Sequence, residues 1–521
     1  MKNFELVQHV YGLLKQLDVE DVIICAGARN APLVYSINEH PFVVTSYFEE
    51  RSAAFYALGC ARRSNKPVAI ITTSGTAAAE LLPAVIESYY QGQKLILITA
   101  DRPKSYRGSG APQSIEQVNL FGPYVQQCHD IDVHSTQVDI QTVIGSLHLN
   151  VCFDEPLLDQ PDGTYQIQKS IFNFIDVQAK SLHVQQMLQF QKPLFILSDT
   201  SLDKNKLVNL ITNKKCYVYA EFLSGLLNHP DSKDLQINHL ESELKHLFLK
   251  NQFDAVIRIG SVPTLRLWRD LESELKHITV INIDSKSFSG LSRKENIFNL
   301  DFNSFVEYFE SLEIDTQFPV IQKYEHLLKL KTELFKKYSS SEPALLHELT
   351  KVIESTEPVY VGNSLPIREI DFVCDKPLTN TYANRGANGI DGQLSTYLGW
   401  TKKSKNSWAI IGDLTLLYDL ASFGLAADQP ESMKNIVVIN NNGGQIFNKI
   451  FKNAFLLNSQ NVKIKHMAEF WNWDYKLIHQ KSDLSELKNK PSKNRIIEIQ
   501  VDNQQTQFFW QEWDTECKKN K

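Results

Sequence analysis

Short apolar runs alternate with segments of helical spacing along the chain, and this alternation predicts the fold class. In the amino-terminal part, the apolar runs are continuous and the segments between them repeat apolar residues at the period of an α-helix. Strands that are apolar throughout and separated by helices are typical of a parallel sheet covered on both faces. The predicted strands are 22–25, 68–71 and 95–98, and the predicted helices are 4–17, 51–63 and 77–90.

The same pattern restarts twice further along the chain. A stretch rich in Lys and Glu at 321–337 predicts a linking helix just before the second restart. We therefore predict three consecutive α/β domains with doubly wound parallel sheets, at 1–180, 181–335 and 336–521. The further predicted strands are 193–197, 254–259 and 278–283 in the second domain, and 358–361, 407–411, 435–439 and 495–501 in the third.

Composition agrees with this division and excludes several classes of protein. The 521 residues suggest about three domains of ordinary size. With 54 basic and 60 acidic side chains the net charge is −6, which argues against a nucleic-acid-binding protein. No apolar run approaches the roughly 18 residues of a membrane span, and the amino terminus does not resemble a signal peptide. The seven scattered cysteines indicate reduced thiols, so we expect a cytoplasmic protein.

The strongest chemical signal follows two predicted strands of the third domain. One strand ends in Gly412-Asp413-Leu414, and the next ends in Asn440-Asn441-Asn442-Gly443-Gly444. A carboxylate, an amide oxygen and a backbone carbonyl are ligands that Mg²⁺ prefers, and they leave coordination sites for phosphate oxygens. The alternative is a pair of polar turns that cap helices. Because both motifs follow strands, we favour a metal and diphosphate site.

Motifs for several other chemistries are missing from the sequence. No Gly-x-Gly-x-x-Gly follows a strand, so the fingerprint of nicotinamide and flavin binding is absent. The chain has neither a Walker A sequence nor His-Glu-x-x-His. The loop at 362–366 lacks the second glycine of a nucleophile elbow, which argues against a hydrolase.

The paired motif at 412–414 and 441–444 resembles that of thiamine diphosphate enzymes. Further stretches are similar to one family of these transferases, the 2-succinyl-5-enolpyruvyl-6-hydroxy-3-cyclohexene-1-carboxylate synthases (the MenD family) of menaquinone synthesis. The resemblance covers nearly all of the first and third domains and is sparse in the second. The stretches that carry it are 27–33, 50–59, 73–77, 99–103, 361–368, 384–392 and 441–447, with 258–266 in the second domain.

The resemblance implies a pyrimidine-binding domain, a central Rossmann-like domain and a diphosphate-binding domain. It implies thiamine diphosphate and Mg²⁺ or Mn²⁺ as cofactors, with Asp413, Asn441 and Gly443 as metal ligands. It also implies that Glu50 is the catalytic acid that activates the cofactor, whereas composition alone would favour an acid placed at a helix amino terminus. The other implied cofactor-binding residues are Ile390, Gly412, Leu414, Gly444, Gln445 and Ile446.

The family reaction decarboxylates 2-oxoglutarate and adds the resulting succinyl carbanion to isochorismate in a Stetter-like 1,4-addition. Both substrates are dianions, and guanidinium groups suit carboxylates better than lysine does. For any single arginine a solvated surface charge is the ordinary alternative. The implied substrate-binding residues are Arg29, Arg102, Arg266, Arg368 and Arg385, with Gln113 and Asn363 as neutral donors.

Apolar residues complete the site that the resemblance implies. Ile390 matches the residue that holds the two cofactor rings in a bent arrangement, and Ile446, Phe447 and Ile450 match an apolar wall near the substrates. Packing in a hydrophobic core is the alternative for each of them.

Three departures from the family concern substrate binding. Ala28 stands where serine is common, Leu265 stands where lysine is common, and the stretch after Phe447 is short. Family layout implies a homodimer with active sites at the interface, with a tetramer as the alternative. Two other functions stay open: a thiamine diphosphate decarboxylase or carboligase with different substrates, and a paralogue without catalytic activity.

Overall fold

Three large parallel sheets form the framework of the protein, as the computed structural model shows, and they confirm the predicted α/β class. Helices alternate with the strands along the chain. The structure describes residues 2–135, 138, 142–159, 173–174, 189–283, 288–315, 324–427, 429, 431–451, 453–489 and 491–519.

The first sheet has six parallel strands in the order β2-β1-β3-β4-β7-β5, and β6 pairs with β8 in a separate ribbon. Its strands are β1 (Asp21–Ile24), β2 (Val43–Ser46), β3 (Val68–Thr72), β4 (Leu95–Asp101), β5 (Gln127–Ile131), β6 (Thr142–Val143), β7 (Leu147–Cys152) and β8 (Asn173–Phe174). The helices of this part are α1 (Asn3–Gln16), α2 (Ala31–Ser36), α3 (Glu50–Ser64), α4 (Thr76–Ala79) and α5 (Leu82–Gln91).

The second sheet has five parallel strands in the order β10-β9-β11-β12-β13. They are β9 (Pro193–Leu197), β10 (Val218–Ala220), β11 (Ala255–Ile259), β12 (Thr279–Ile283) and β13 (Ile297–Leu300). The helices are α6 (Lys204–Asn213), α7 (Leu244–Leu249), α8 (Leu267–Asp270) and α9 (Phe302–Glu310).

The third sheet has six parallel strands in the order β15-β14-β16-β17-β19-β18. They are β14 (Val359–Val361), β15 (Thr381–Tyr382), β16 (Asn406–Gly412), β17 (Met433–Asn440), β18 (Asp474–Ile478) and β19 (Arg495–Gln500). The helices are α10 (Glu325–Lys337), α11 (Glu342–Val352), α12 (Leu365–Val373), α13 (Gln393–Trp400), α14 (Asp413–Tyr418), α15 (Asn448–Phe451), α16 (Ala454–Leu457), α17 (Ile464–Phe470) and α18 (Asn503–Lys519).

One segment predicted as a single helix forms two helices in the structure. The segment 77–90 forms α4 and α5 with a break at Glu80 and Leu81. Pro83 lies in the first turn of α5, where its missing N–H is not needed, and in a helix interior it would break the hydrogen-bond ladder.

The strands absent from the prediction are mostly at sheet edges. The edge strands β2, β5 and β18 bury only part of their side chains, so they lack a continuous apolar run. The inner strand β7 is also absent from the prediction, for another reason. It buries His148 and Asn150, whose side chains contact Thr99 at 2.7 and 3.0 Å, so polar residues interrupt a fully buried strand.

The chain divides into two compact units, and the first contains the first sheet. This unit comprises Met1–Val177, Asn384–Lys403 and Leu417–Ser432. Within it α3 and α13 cross at two glycines. A Cβ added at Gly59 would overlap the carbonyl oxygen of Thr396, and one at Gly399 would overlap that of Tyr56, so only glycine permits this approach.

The second unit contains the second and third sheets. It comprises Gln178–Ala383, Ser404–Leu416 and Met433–Lys521. Each of the predicted domains 1–180, 181–335 and 336–521 contains one of the three large sheets, and their limits stay a prediction. Among the helices that the structure describes, none has the length and apolar character needed to cross a membrane. All seven cysteines are free thiols.

Candidate active site

Loops after three strands of the first unit bring three predicted substrate-binding residues into one region. The N–H of Arg29, after β1, donates to Oγ1 of Thr73, after β3, at 3.3 Å. Gly75 in the same β3 loop lies against Gln113. Arg102, after β4, donates from Nε to the carbonyl of Pro112 at 2.9 Å. Because the carboxyl ends of parallel strands share one edge of the sheet, residues far apart in sequence meet here.

The guanidinium of Arg29 is itself well anchored. Nη1 donates to the carbonyl of Phe153 at 3.3 Å and pairs with Oε1 of Glu155 at 3.2 Å. The Arg29 side chain is 10% exposed and that of Glu155 is 64% exposed. A solvated carboxylate is a weak partner that a substrate carboxylate can replace.

Glu49 and Glu50, at the start of α3, have different surroundings. Glu49 is the N-cap, and its carboxylate accepts N–H bonds from Arg51 at 3.2 Å and Ser52 at 3.0 Å. Glu50 is the first helical residue and is half-buried. Burial raises the pKa of the Glu50 carboxyl, and the carboxylates of Glu49 and Glu80 raise it further. The two adjacent acids therefore differ in their contacts, with Glu49 at the helix cap and Glu50 half-buried in the first turn.

Two buried carboxylates hold the loop that carries Arg385 and Ile390. Glu87 accepts N–H bonds from Gly386 at 2.7 Å and Ala387 at 2.6 Å. Asp419 accepts from Gly392 at 2.8 Å and Leu394 at 2.9 Å, and burial raises its pKa to about 7. The loop before α13 is thus fixed at both ends, which suits a residue that must support a ligand.

The carboxylate of Asp413 connects two strand ends in the second unit. Asp413 follows β16 and is buried, and its Oδ2 accepts the N–H of Gly443, after β17, at 2.9 Å. Its Oδ1 accepts the N–H of Leu414 at 2.8 Å. Asn441 is also buried and lies in the same turn as Gly443. The Asp413 carboxylate therefore joins the end of β16 to the turn that follows β17.

The turn that follows Asn441 depends on glycine. Gly443 has φ +106°, and an added Cβ would overlap the carbonyl oxygen of Leu457. Gly444 donates its N–H to that same carbonyl at 2.5 Å. Gln460 donates from Nε2 to Oδ2 of Asp413 at 3.1 Å and to Oδ1 of Asn440 at 3.3 Å. The segment after α16 therefore lies directly on the turn.

A cavity of about 1560 Å³ in the second unit is lined by Arg266, Arg368, Gln445 and Ile446. Arg266 is largely exposed and its backbone N–H donates to Oε1 of Glu241 at 3.4 Å. Burial raises the pKa of Glu241, and the charge of Arg368 opposes that rise. The same lining includes Lys245 and the acidic side chains of Glu241, Asp270, Glu342, Glu369 and Asp514, so basic and acidic groups both face this cavity.

The remaining predicted residues have varied positions. Asn363 is buried after β14. Phe447 is 41% exposed, and the side chain of Ile450 lies outside the described residues. Leu265 packs in a hydrophobic core, so this departure from the family is a core residue rather than a pocket residue.

The predicted site residues are distributed over the two compact units. Within each unit these residues lie at the ends of strands or in the loops and helices that follow strands in the chain. The first unit holds Arg29, Glu50, Arg102, Gln113, Arg385 and Ile390, and the second holds Arg266, Asn363, Arg368, Gly412, Asp413, Leu414, Asn441, Gly443, Gly444, Gln445, Ile446 and Ile450.

Four polar residues of these regions were missing from the sequence-based prediction: Glu87, Glu342, Asp419 and Gln460. Each lies far in sequence from the loop that it holds. A single sequence carries no signal for such pairs. Groups of three or more His, Cys, Asp or Glu able to hold a metal are absent from the described part of the chain, whereas the predicted site needs only one acid, Asp413.

Comparison with known proteins gives one consistent result. Residues 4–120 match the family described as "Thiamine pyrophosphate enzyme, N-terminal TPP binding domain". A 2-succinyl-5-enolpyruvyl-6-hydroxy-3-cyclohexene-1-carboxylate synthase of Bdellovibrio bacteriovorus is 38% identical over 99% of both chains. The enzyme of the same name from Akkermansia muciniphila is 31% identical over 93% of this chain and 94% of its own. That of Staphylococcus epidermidis is 32% identical over 85% and 84%.

Proposed function

The chain belongs to the 2-succinyl-5-enolpyruvyl-6-hydroxy-3-cyclohexene-1-carboxylate synthase family of thiamine diphosphate enzymes, and we propose that it catalyses the reaction for which the family is named. Its substrates are then 2-oxoglutarate and isochorismate, and its products are the cyclohexene carboxylate and CO₂. The observation that carries the proposal is the contact between Asp413 and Gly443 at the ends of β16 and β17.

The residues at this contact fit a hard divalent cation. Asp413 and Asn441 supply side-chain oxygens and Gly443 a backbone carbonyl, and a carboxylate retains lone pairs beyond the N–H bonds that it accepts. Mg²⁺ binds through such oxygens and keeps positions for phosphate, and Mn²⁺ accepts the same ligands. We assign Asp413, Asn441 and Gly443 as the metal ligands.

Open space beside the strand end fits a diphosphate. A Cβ added at Gly412 would have no atom within 4 Å, so a ligand can approach its backbone. Leu414, Gly444, Gln445 and Ile446 would border the cofactor on the same side. Ile390, in its anchored loop, would support the rings. When bound, thiamine diphosphate supplies the electron sink for decarboxylation.

Glu50 would exchange a proton with the pyrimidine ring of the cofactor. Burial raises the pKa of its carboxyl, which favours the protonated form that a general acid needs. The carboxylate of Glu49 accepts two N–H bonds at the helix cap, so we assign the proton exchange to Glu50.

Arginines recognise the two dianionic substrates in this proposal. Arg29 and Arg102 hold positions beside the loops of Thr73 and Gln113, and Arg266 and Arg368 line one cavity. Planar guanidinium groups bind carboxylates bidentately, which favours 2-oxoglutarate over monoanionic 2-oxo acids. Arg385, Gln113 and Asn363 would complete the set.

We propose that the active protein is a homodimer, with a tetramer as the alternative. Three large apolar side chains of the first unit are exposed in the single chain: Tyr35 at 71%, Val43 at 50% and Phe48 at 73%. Exposed large apolar side chains are what an interface between subunits would cover.

An anaerobic assay tests the function directly. Purified protein would be mixed with Mg²⁺, thiamine diphosphate and 2-oxoglutarate, and the loss of isochorismate absorbance would be followed. Consumption that requires every component supports the proposal. Cofactor-dependent CO₂ release from another 2-oxo acid, without isochorismate consumption, would replace the substrates, and binding of cofactor without any turnover would favour a paralogue without catalytic activity.

A further inference from the structure

Glu342 contacts the turn that follows β17, although it lies far from that turn in sequence. It is the first residue of α11 and is buried. Its Oε2 accepts a hydrogen bond from Nδ2 of Asn441 at 3.0 Å, across 99 positions of the chain. Its backbone N–H donates to Oγ1 of Thr506 at 2.9 Å, which fixes the start of the helix.

This contact determines which end of the Asn441 amide faces which way. The oxygen and nitrogen of an asparagine amide have nearly the same shape, so packing alone does not distinguish them. In the structure the NH₂ group of Asn441 faces Glu342, whose carboxyl oxygen Oε2 accepts its hydrogen bond. Oδ1 is then directed away from Glu342, and within the described part of the chain no group donates to it.

The backbone of Asn441 is held independently of its side chain. Its carbonyl oxygen accepts Nε2 of Gln445 and Nδ2 of Asn503, each at 3.0 Å. These two bonds hold the backbone carbonyl and do not involve the side chain. The side-chain amide could therefore adopt either of two orientations, with Oδ1 and Nδ2 exchanged. Glu342 is the contact that selects one of them.

We propose that Glu342 is a positioning residue that turns Oδ1 of Asn441, rather than its NH₂ group, toward the cation held by Asp413. The inference rests on the proposed function, because it requires a cation at that carboxylate. A flipped amide would direct two N–H donors at the cation and remove one oxygen ligand. Partners of this kind set metal affinity without touching the metal.

The effect of Glu342 on metal affinity can be measured by a binding titration, which requires no turnover. Mn²⁺ would be titrated into the full-length chain with excess thiamine diphosphate, and free Mn²⁺ would be followed by its electron paramagnetic resonance signal. We expect Glu342→Ala to raise the Mn²⁺ dissociation constant about 10- to 100-fold. Glu342→Gln should raise it less, because its amide oxygen can still accept from Asn441.

Glu348→Ala is the matched control on the same helix. The Glu348 carboxylate pairs with Lys351 at 2.9 Å and Lys481 at 2.7 Å, so its loss should leave Mn²⁺ binding unchanged. Urea unfolding of each variant without metal separates a loss of fold from a loss of affinity. If Glu342→Ala does not fold, Glu342→Leu carries the test, because leucine fills similar space and accepts no hydrogen bond from Asn441, and an unchanged dissociation constant in it overturns the proposal.

A second readout reports the ligands of the metal. In ¹⁷O-labelled water, bound Mn²⁺ should gain one water ligand in Glu342→Ala, in place of the Asn441 oxygen. A merely structural contribution of Glu342 would not change the number of bound waters, and an unchanged number overturns the positioning role.

Asp413→Ala, measured in parallel, distinguishes this proposal from the one on which it rests. If Asp413→Ala weakens Mn²⁺ binding and Glu342→Ala does not, the positioning role alone is wrong. If neither variant weakens binding, the metal site itself is wrong.

Discussion

Glu49 accepts the first free N–H groups of α3, and this leaves the neighbouring carboxyl of Glu50 outside the helix cap. Two adjacent acids of identical chemistry therefore have different contacts, and we expect different roles for them. Substitution of each in turn distinguishes structural from catalytic loss.

Glu50→Gln should lower turnover by about 100-fold or more, because an amide cannot exchange the proton. Thiamine diphosphate affinity, measured by calorimetry, should stay close to that of the wild type. Glu49→Ala should instead lower the free energy of unfolding by about 1 kcal/mol through loss of the cap, and it should retain most of its turnover. The reverse pattern would assign the catalytic role to Glu49.

Gly412→Ala should weaken cofactor binding without changing the stability of the fold. The added Cβ meets nothing within 4 Å, so we expect the melting temperature without cofactor to be unchanged. The methyl group would occupy space that the diphosphate needs, and cofactor affinity should fall. Unchanged affinity in a calorimetric titration would show that the cofactor does not approach this strand end.

Gly59→Ala and Gly399→Ala should each destabilise the first unit. Either methyl group would overlap a backbone carbonyl of the opposite helix, and relief of such overlap costs about 1 to 3 kcal/mol or more. Gly145→Ala is the control, since its Cβ would lie 3.7 Å from the nearest atom, Cβ of Gln126. Urea unfolding curves give the comparison, and equal midpoints for all three variants would contradict the close approach of α3 and α13.

His148 should make stability sensitive to acid. Burial lowers its pKa to about 3, and its ring contacts Thr99 at 2.7 Å and Cys128 at 3.2 Å. The unfolded chain binds a proton at this residue near pH 6.5 and the folded chain does not, so stability falls as the pH decreases from about 6.5 toward 3. The slope from this one group reaches about 1.4 kcal/mol per pH unit.

His148→Gln should reduce that slope, measured as the free energy of unfolding in urea at several pH values. His134→Gln, at an exposed histidine, serves as the comparison and should leave the slope unchanged. Identical slopes for wild type and His148→Gln would show that His148 is not the buried neutral group described.

The family and the fold class predicted from the sequence are confirmed, and the physical reason is local. Inner strands such as β3 and β9 are apolar throughout, so their pattern needs no tertiary information. Strand β7 needs it, because His148 and Asn150 are compatible with burial only once their partners are in place. Edge strands are ambiguous because half of their surroundings is solvent.

In the candidate site, too, some residues could be predicted from local sequence and others could not. Residues inside motifs, such as Asp413 and Gly443, could be located because the motif follows a strand. The residues that hold these loops in place could not be located, because each is far in sequence from its partner. In sequence, 47 positions separate Asp413 from Gln460, and 299 separate Glu87 from Gly386. The assignment of individual binding roles stays a prediction that the substitutions above test.

The crossing of α3 and α13 has a consequence for synthesis of the protein. The first sheet ends at Cys152, but the helix that covers α3 begins at Gln393. At ordinary translation rates the interval between the two is on the order of tens of seconds. During that time the growing chain presents an uncovered face of small residues on α3, and any fragment that ends before Asn384 lacks the segment that closes it.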